Sequence, residues 1–263
     1  MAIFRGELRS RTMEMDTGLA VILPYDSFQE LPPAKTLYLL HGLKQSAGAW
    51  LNMSSIGRYA KEYNLAVVMP EVQRSFYTDM EMGLAYFTYV SEELPQLCQK
   101  LFRLSPKRED TFVAGLSMGG YGAAKCALAR PDIFSAFGSF SGALDIAMLK
   151  EGAKYAPQML PEMQAIFGMD LVLKEQDDLF ALAKKAAALP TEMRPRAYIT
   201  CGSDDHGSYI IEQNRKFRDH LSTLPLELRY EEFPGGHQWP LWDKSVERAI
   251  PFFLGEQGPI KTC

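Results

Sequence analysis

The chain alternates between short, continuously apolar runs and longer stretches in which apolar residues recur with helical spacing. Continuous apolar runs are typical of strands whose parallel sheet is covered by helices on both faces. Helical spacing fills residues 52–63, 83–102 and 118–130. The alternation predicts an α/β fold built on a mostly parallel, doubly wound sheet. The predicted buried strands are residues 36–40, 65–69, 110–114, 134–140 and 196–200.

Two further segments carry strand patterns. Residues 4–15 and 19–23 predict an N-terminal antiparallel hairpin with Asp16-Thr17-Gly18 as its turn, followed by a loop over residues 24–35. Residues 226–233 alternate between apolar and charged side chains and predict the last strand.

The pattern changes after residue 141, where strand signals stop until residue 196. Methionines cluster there with alanine-rich helical pieces, including one over residues 184–189; they are Met148, Met159, Met163 and Met169. We interpret residues 145–192 as a helical cap insertion within a single domain that spans residues 1–263. The insertion either covers the mouth of a site or packs on the sheet. A methionine-rich cap would suit an adaptable apolar pocket.

Composition and charge exclude several classes of function. The 263 residues are 47% hydrophobic and 23% charged, as in an ordinary globular domain, and the net charge of −4 argues against nucleic-acid binding. We find no N-terminal signal peptide and no apolar run that could span a bilayer, so a cytoplasmic protein without a membrane partner is expected.

The cysteines give no sign of disulfides or metal binding. They lie far apart, and no cysteine or histidine pair has metal-ligand spacing; the four are Cys98, Cys126, Cys201 and Cys263. We expect buried thiols at Cys98 and Cys126, and neither a metal nor a cofactor.

The sharpest chemical signal is Gly115-Leu116-Ser117-Met118-Gly119, a Gly-x-Ser-x-Gly motif between a predicted strand and a predicted helix. In this context the motif is a nucleophile elbow, which holds the serine in a strained turn at the carboxyl end of the sheet. The N–H of Met118 would lie at a helix N-terminus, where it could stabilise a negative oxygen.

A serine nucleophile needs a base and an acid that orients the base. Among four histidines, His237 best fits the order Ser, acid, His, because it follows the predicted last strand in a glycine-rich loop. His220 has helical spacing and is interpreted as structural. Asp204 and Asp205 both follow the strand at 196–200; we favour Asp205 as the acid, with Asp204 as a cap for a helix that starts near Ser208.

An oxyanion hole needs a second donor from a loop after an earlier strand. The apolar run at residues 36–40 ends in His41-Gly42-Leu43, so the N–H of Leu43 is the candidate. We interpret His41 as a brace for this loop rather than a catalytic base. Trp239 and Tyr77 are candidate substrate contacts, because both follow strand ends that line the crevice of open α/β sheets, whereas Trp242 is expected to pack in the core.

These residues resemble the esterase D/tributyrin-esterase group of α/β hydrolases over residues 5–253. Segments 75–80 and 92–95 are similar to the tributyrin-esterase branch, and the spacing Cys201-Gly202-x-x-Asp205 supports Asp205 as the acid. His206-Gly207-Ser208 departs from the group, which often has an apolar residue and leucine there. The other matching motifs are Leu40-His41-Gly42, Gly115-Leu116-Ser117-Met118-Gly119-Gly120-Tyr121-Gly122 and Gly235-Gly236-His237.

The resemblance implies an α/β-hydrolase fold and a serine carboxylesterase for short-chain acyl esters, acetyl to butyryl, including esters of carbohydrates or hydroxycinnamates. An S-formylglutathione hydrolase is the alternative within enzymes. A non-catalytic binding protein of the same fold is the rival from another class, but such a protein normally lacks a triad member. Similar esterases often form homo-oligomers, and the methionine-rich insertion is then a candidate contact surface.

Overall fold

The computed structural model describes residues 1–25, 32–154, 158–256 and 258. Within these residues, one eight-stranded sheet has the order β1-β2-β4-β3-β5-β6-β7-β8. Strands β3 to β8 are parallel to one another, while β2 is antiparallel to both β1 and β4. The strands are β1 (Ala2–Ser10), β2 (Met15–Leu23), β3 (Lys35–Leu40), β4 (Leu65–Pro70), β5 (Thr111–Leu116), β6 (Ala136–Phe140), β7 (Arg196–Gly202) and β8 (Leu228–Phe233).

Helices cover both faces of the sheet, as the continuous apolar runs predict. Side chains of β5 alternate between the two hydrophobic layers, since Val113 lies in one and Phe112 and Ala114 lie in the other. The helices are α1 (Ala49–Met53), α2 (Ile56–Glu62), α3 (Tyr86–Thr88), α4 (Leu94–Phe102), α5 (Met118–Ala129), α6 (Ile146–Lys154), α7 (Leu160–Phe167), α8 (Leu179–Ala187), α9 (Ile210–Ser222) and α10 (Trp239–Phe253). None of the helices in the described part of the chain is long and apolar enough to cross a membrane.

The predicted fold class is confirmed, but several element boundaries differ. The hairpin turns at residues 11–14, and Asp16-Thr17-Gly18 lies within β2 opposite residues 7–9 of β1, so the predicted turn is wrong. Its turn-forming composition was misleading because these residues pair with β1, and the Gly18 carbonyl also accepts from the Glu71 N–H at 2.9 Å, just after β4. The predicted helix at 52–63 is two helices, and that at 184–189 begins earlier, at Leu179. The predicted loop at 24–35 lies partly, at 26–31, outside the described residues.

The order of the strands creates the crevice in which a ligand would bind. The chain leaves β3 for β4 on one side and later returns to β5 on the other side. Helices that follow β3 and β5 therefore diverge, and the carboxyl ends of these two strands flank a topological switch point. The two motifs Leu40-His41-Gly42 and Gly115–Gly119 lie at these ends.

Residues 145–192 contain α6, α7 and α8 and, among the residues described there, no strand. The insertion contacts loops at the carboxyl edge of the sheet. The backbone N–H groups of Glu81 and Met82 donate to carbonyls of Ile166 and Ala165 in α7. Phe167 packs against Phe76 at a centroid distance of 6.2 Å. These contacts place α7 beside the loops that follow β4, and whether the insertion covers a site stays a prediction.

A buried ion pair joins the insertion to α5. Lys125 Nζ lies 2.6 Å from Asp177 Oδ1 and donates to Thr78 Oγ1 at 3.1 Å, and both charged side chains are almost fully buried. The Tyr121 hydroxyl donates to the backbone carbonyl of Asp177. Burial lowers the pKa of Lys125, and Asp177 opposes that shift. The sequence carried a signal for this pair, because Lys125 is the one charged residue in a helix that is buried on every side.

We expect Lys125→Met to lower the free energy of unfolding by about 3–5 kcal/mol, because it leaves the Asp177 carboxylate buried without its counter-charge. The double variant Lys125→Met/Asp177→Leu should recover most of that loss. Urea denaturation of both variants and of the unsubstituted chain measures these free energies of unfolding. A single variant as stable as the unsubstituted chain, or a double variant less stable than the single one, would contradict the account.

Candidate active site

Ser117 lies at the turn between β5 and α5, and close packing explains why glycines flank it. A Cβ at Gly115 would lie 2.4 Å from the Gly119 carbonyl oxygen, and one at Gly119 would lie 2.5 Å from the Leu40 carbonyl oxygen. Ser117 itself has φ 54° and ψ −119°, a strained conformation for a residue with a side chain. Such strain persists only where the surroundings enforce it, and here it holds the hydroxyl at the edge of the sheet.

The Ser117 hydroxyl is available for chemistry. Ser117 occupies the N-cap position of α5, yet its side chain does not cap the helix, and no hydrogen bond joins its Oγ to another residue in the described ranges. A direct bond to His237 is therefore not formed in this structure. Hydrogen bonds between catalytic groups are often long before substrate binds.

His237 and Asp205 are brought together as predicted. His237 Nδ1 lies 2.9 Å from Asp205 Oδ2, across the ends of β7 and β8. The Asp205 side chain is 1% exposed and that of His237 is 37% exposed, so the carboxylate is shielded while the imidazole reaches solvent. Asp205 Oδ1 has no hydrogen-bond partner among the described residues. The buried carboxylate is thus paired with His237 through this one hydrogen bond.

Asp204 does not cap the helix after β7, so that part of the prediction is wrong. α9 begins at Ile210, and its first turn is tied instead through the Ile211 N–H, which donates to the backbone carbonyl of Asp205. Asp204 is exposed, and its Oδ2 accepts from the Gly235 N–H at 3.3 Å. The side chain therefore contacts the loop that carries His237.

A series of indole rings supports His237. Trp242 is buried and meets the His237 ring edge to face at 4.9 Å. Trp239 packs between Trp242 and Trp50 at 5.4 and 5.2 Å. Trp50 Nε1 donates to the Leu40 carbonyl at 3.0 Å, which ties the series to the end of β3. Trp242 packs in the core as predicted. Trp239 is half-buried, and its contact with substrate stays a prediction.

The loop after β3 approaches Ser117 closely. A Cβ at Gly42 would lie 3.5 Å from Ser117 Cβ and 2.6 Å from Leu116 Cδ1. The Gly42 carbonyl accepts from the Gln45 N–H at 3.1 Å and from His41 Nδ1–H at 2.9 Å. In a trans peptide the N–H points opposite to the C=O, so these bonds also fix the direction of the Leu43 N–H. The N–H groups of Leu43 and Met118 donate to no described residue, as expected of an oxyanion hole.

His41 braces the loop after β3, the candidate oxyanion loop that carries Leu43, from inside the protein. It is 1% exposed, and its Nε2 accepts from the Val72 N–H at 3.2 Å. Its Nδ1 lies 2.9 Å from the Gly42 carbonyl, and its Nε2 also lies 3.4 Å from Glu71 Oε1, so both ring nitrogens have polar partners. The structure thus gives His41 the structural position that the sequence favoured. His220 likewise is structural, since its Nε2 bonds to the Phe180 carbonyl.

Tyr77 supports the same loop and does not line the crevice. Its side chain is fully buried, and its hydroxyl donates to the His41 carbonyl at 2.9 Å. Its ring lies so close to α5 that a Cβ at Gly122 would come within 2.4 Å of it. Burial therefore removes the surface that a substrate contact would need. Sequence position alone placed Tyr77 after a strand end but could not show which way the ring turns.

We expect Tyr77→Phe to lower the free energy of unfolding by about 1 kcal/mol through loss of the bond to His41. Loss of this bond should loosen the loop that holds the Leu43 N–H. Because that N–H would bind the oxyanion only in the transition state, kcat should fall while KM stays nearly constant. Steady-state kinetics and thermal unfolding measure both effects. A raised KM at unchanged kcat would instead indicate a direct substrate contact.

Arg74 connects the oxyanion loop to the cap insertion. Its Nη1 donates to the Leu43 carbonyl at 3.3 Å, and its guanidinium forms a two-pronged ion pair with Glu162 of α7, one arm of which measures 2.8 Å. This link was not predicted, because the two residues are far apart in sequence and neither belongs to a motif.

Thiol nucleophiles are disfavoured within the described residues. Burial raises the pKa of Cys98, Cys126 and Cys201 to about 12 in each case, so these groups stay protonated near neutral pH. Cys98 and Cys126 are buried thiols as predicted. Cys263 lies outside the described residues.

Comparisons with known proteins find similarity to esterases. Residues 10–253 match the family described as "Putative esterase". The acetyl esterase of Caldicellulosiruptor saccharolyticus is 32% identical over 262 residues, which cover 95% of this chain and 97% of that protein. Two structures from Staphylococcus aureus, the fluorophosphonate-binding serine hydrolase FphF and an S-formylglutathione hydrolase, are each 34% identical, with TM-scores of 0.83 and 0.82. Each comparison covers 96% of this chain and 98% of the other.

Proposed function

The chain belongs to this esterase family and has the α/β-hydrolase fold, and on that premise we propose that it cleaves short-chain acyl esters, acetyl to butyryl, with a triad of Ser117, His237 and Asp205. That the protein is a carboxylic ester hydrolase follows from the family and its relatives. Two observations carry the proposed triad: Ser117 is strained at the switch point, and His237, in the loop after β8, has its Nδ1 bonded to a buried carboxylate.

The proposed reaction is a two-step acyl transfer. His237 Nε2 removes the Ser117 proton as Oγ attacks the ester carbonyl, and the N–H groups of Leu43 and Met118 bind the resulting oxyanion. His237 then protonates the departing alcohol, which leaves an acyl-enzyme. A water molecule, deprotonated by His237, attacks the acyl carbon, and His237 then returns the proton to Ser117 Oγ as the acid departs. Loss of one oxyanion donor typically costs about 100-fold or more in kcat, so the braces around Leu43 matter to the rate.

Asp205 contributes by holding His237. Its hydrogen bond at 2.9 Å keeps the proton on Nδ1 and leaves Nε2 free to accept the serine proton. The buried carboxylate also stabilises the imidazolium that forms in each step.

Hydrolysis of S-formylglutathione is the second candidate. The structural relative from Staphylococcus aureus with that activity is as similar to this chain as FphF is, and a thioester would pass through the same acyl-enzyme. The triad itself favours neither substrate, because it acts on the carbonyl common to both.

A side-by-side assay tests the proposed substrate class. We expect kcat/KM for p-nitrophenyl acetate and butyrate to exceed that for methyl ferulate, with S-formylglutathione measured under the same conditions. A preference for S-formylglutathione by a factor of about 100 or more, typical of discrimination between a cognate and a related substrate, would favour the second candidate. No hydrolysis of any of the four by folded protein would contradict both.

The cap insertion is proposed to limit the size of the acyl group. Arg74→Gln should loosen the link between α7 and the oxyanion loop and so raise the ratio of butyrate to acetate hydrolysis. A well-placed exposed ion pair contributes up to about 1 kcal/mol, so we expect a change in the ratio of about five-fold or less. Arg58→Gln, which removes a surface pair to Glu62 on α2, is the matched control. An unchanged ratio in folded Arg74→Gln would contradict the cap role.

A further inference from the structure

One edge of the sheet is open and partly apolar. Strand β1 has a single neighbour, β2, among the described strands, and its outer edge presents unpaired backbone groups over nine residues. Ile3 and Phe4 are 49% and 50% exposed. Exposed edges of this length readily pair with another strand.

The same edge is flanked by an apolar surface from α4. Leu101 is 62% exposed, and Phe102 stacks on Phe4 at a centroid distance of 6.4 Å. Phe4, Leu8, Leu101 and Phe102 line a shallow cavity of about 250 Å³ on one face of the hairpin. We call these four residues the β1 patch.

We propose that β1 pairs antiparallel with β1 of a second copy of this chain, centred on Gly6, to form a dimer with a continuous sixteen-stranded sheet. Such pairing obeys a two-fold axis perpendicular to the sheet, so each contact occurs twice. This inference does not depend on the proposed function.

Charge complementarity selects the second copy as the occupant. With Gly6 opposite the partner's Gly6, each Arg5, whose Nη2 also donates to Asn52 Oδ1 at 2.7 Å, lies opposite the partner's Glu7 on one face of the sheet. On the other face, Phe4 lies opposite the partner's Leu8, and the two β1 patches meet. The edge therefore matches itself in both charge and hydrophobicity.

Other registers are less favourable. Centring the pair on Arg5 sets Arg5 against the partner's Arg5, and centring it on Glu7 sets two glutamates opposite each other. Centring it on Leu8 pairs Glu7 with the partner's Arg9, but it leaves Phe4 without a partner. It also brings in Ser10, which is buried and bonded to Glu93. A two-residue shift of the register thus removes the charge pairs, and the four-residue shift to Leu8 removes the apolar contact.

The dimer leaves both active sites open, because β1 lies three strands away from β3, whose end carries Leu43. Gly6 also tolerates a side chain, since a Cβ there meets nothing within 4 Å. Substitutions on β1 can therefore be tested in the intact enzyme with per-subunit esterase activity as the check of folding.

The first test is sedimentation velocity over a range of protein concentrations. The unsubstituted chain should be dimeric, Arg5→Glu should weaken the dimer by about tenfold or more because two like-charge pairs replace two attractive ones, and Arg5→Glu/Glu7→Arg should restore it. Arg9 lies opposite the partner's Ile3 but pairs with Asp16 of its own β2 at 3.7 Å, so the matched control is Arg9→Glu/Asp16→Arg, which reverses that pair without breaking it. A monomeric unsubstituted chain, or a dimer that is weakened equally by this control or not restored by Arg5→Glu/Glu7→Arg, would overturn the proposal.

The second test locates the axis. Gly6→Cys in a Cys263→Ser background should form an intermolecular disulfide on mild oxidation, because paired residues in antiparallel strands have Cα atoms about 5 Å apart, within disulfide reach. Arg9→Cys in the same background measures chance collision, since its two copies would lie about 20 Å apart. Cross-linking of Gly6→Cys no faster than that of Arg9→Cys would contradict pairing about Gly6.

Discussion

Ser117→Ala is expected to abolish ester hydrolysis while leaving the protein folded. The hydroxyl makes no hydrogen bond to a described residue, so its removal costs little stability. Without Oγ no acyl-enzyme forms, and loss of a serine nucleophile in a triad lowers kcat by about 10⁶-fold in a well-studied case. Initial rates with p-nitrophenyl butyrate measure the loss.

Labelling by phenylmethylsulfonyl fluoride should disappear in the same variant. Ser141→Ala is a suitable control, because Ser141 is a buried serine with a positive φ at the end of the neighbouring strand β6 and is not assigned a catalytic role. Labelling that persists in Ser117→Ala and is lost in Ser141→Ala would remove Ser117 as the nucleophile.

Asp205→Asn is expected to lower kcat by about 10⁴-fold, as the equivalent change does in the serine-protease triad. The amide can present an N–H to His237 Nδ1, which shifts the imidazole proton to Nε2, where it cannot accept from serine. The variant also loses the buried charge that stabilises the imidazolium. Steady-state kinetics measure kcat, and thermal unfolding verifies that the variant is folded.

Asp204→Asn is the matched control for this change, because the adjacent carboxylate is exposed and contacts only the loop of His237. We expect kcat within about tenfold of the unsubstituted value and a stability loss of about 1 kcal/mol or less, the usual contribution of one hydrogen bond. A dead Asp204→Asn with an active Asp205→Asn would place the triad through Asp204.

Local patterns predicted the parts of the fold whose cause is local. The apolar runs identified the buried strands of the parallel sheet, because both faces of these strands are covered. The Gly-x-Ser-x-Gly motif identified the turn at Ser117, because only small residues fit between β3, β5 and α5. The pairing of His237 with Asp205 followed from the order of strand ends along the chain.

Long-range contacts explain what the sequence could not predict. Gly18 suggested a turn, yet pairing with Glu7 of β1 and a hydrogen bond from the Glu71 N–H keep it in β2. Tyr77 was placed near the crevice, but packing against Gly122 and the bond to His41 turn it inward. The link from Arg74 to Glu162 joins residues that only tertiary structure brings together.

The central claim, an acyl-enzyme on Ser117, is tested most directly by rapid acid quench of the protein with p-nitrophenyl butyrate, followed by peptide mass spectrometry. The account predicts a burst of p-nitrophenol and a butyryl group on the peptide that contains Ser117, with neither present in Ser117→Ala. Butyrylation of a different residue at the burst rate, or the same burst from Ser117→Ala, would contradict it.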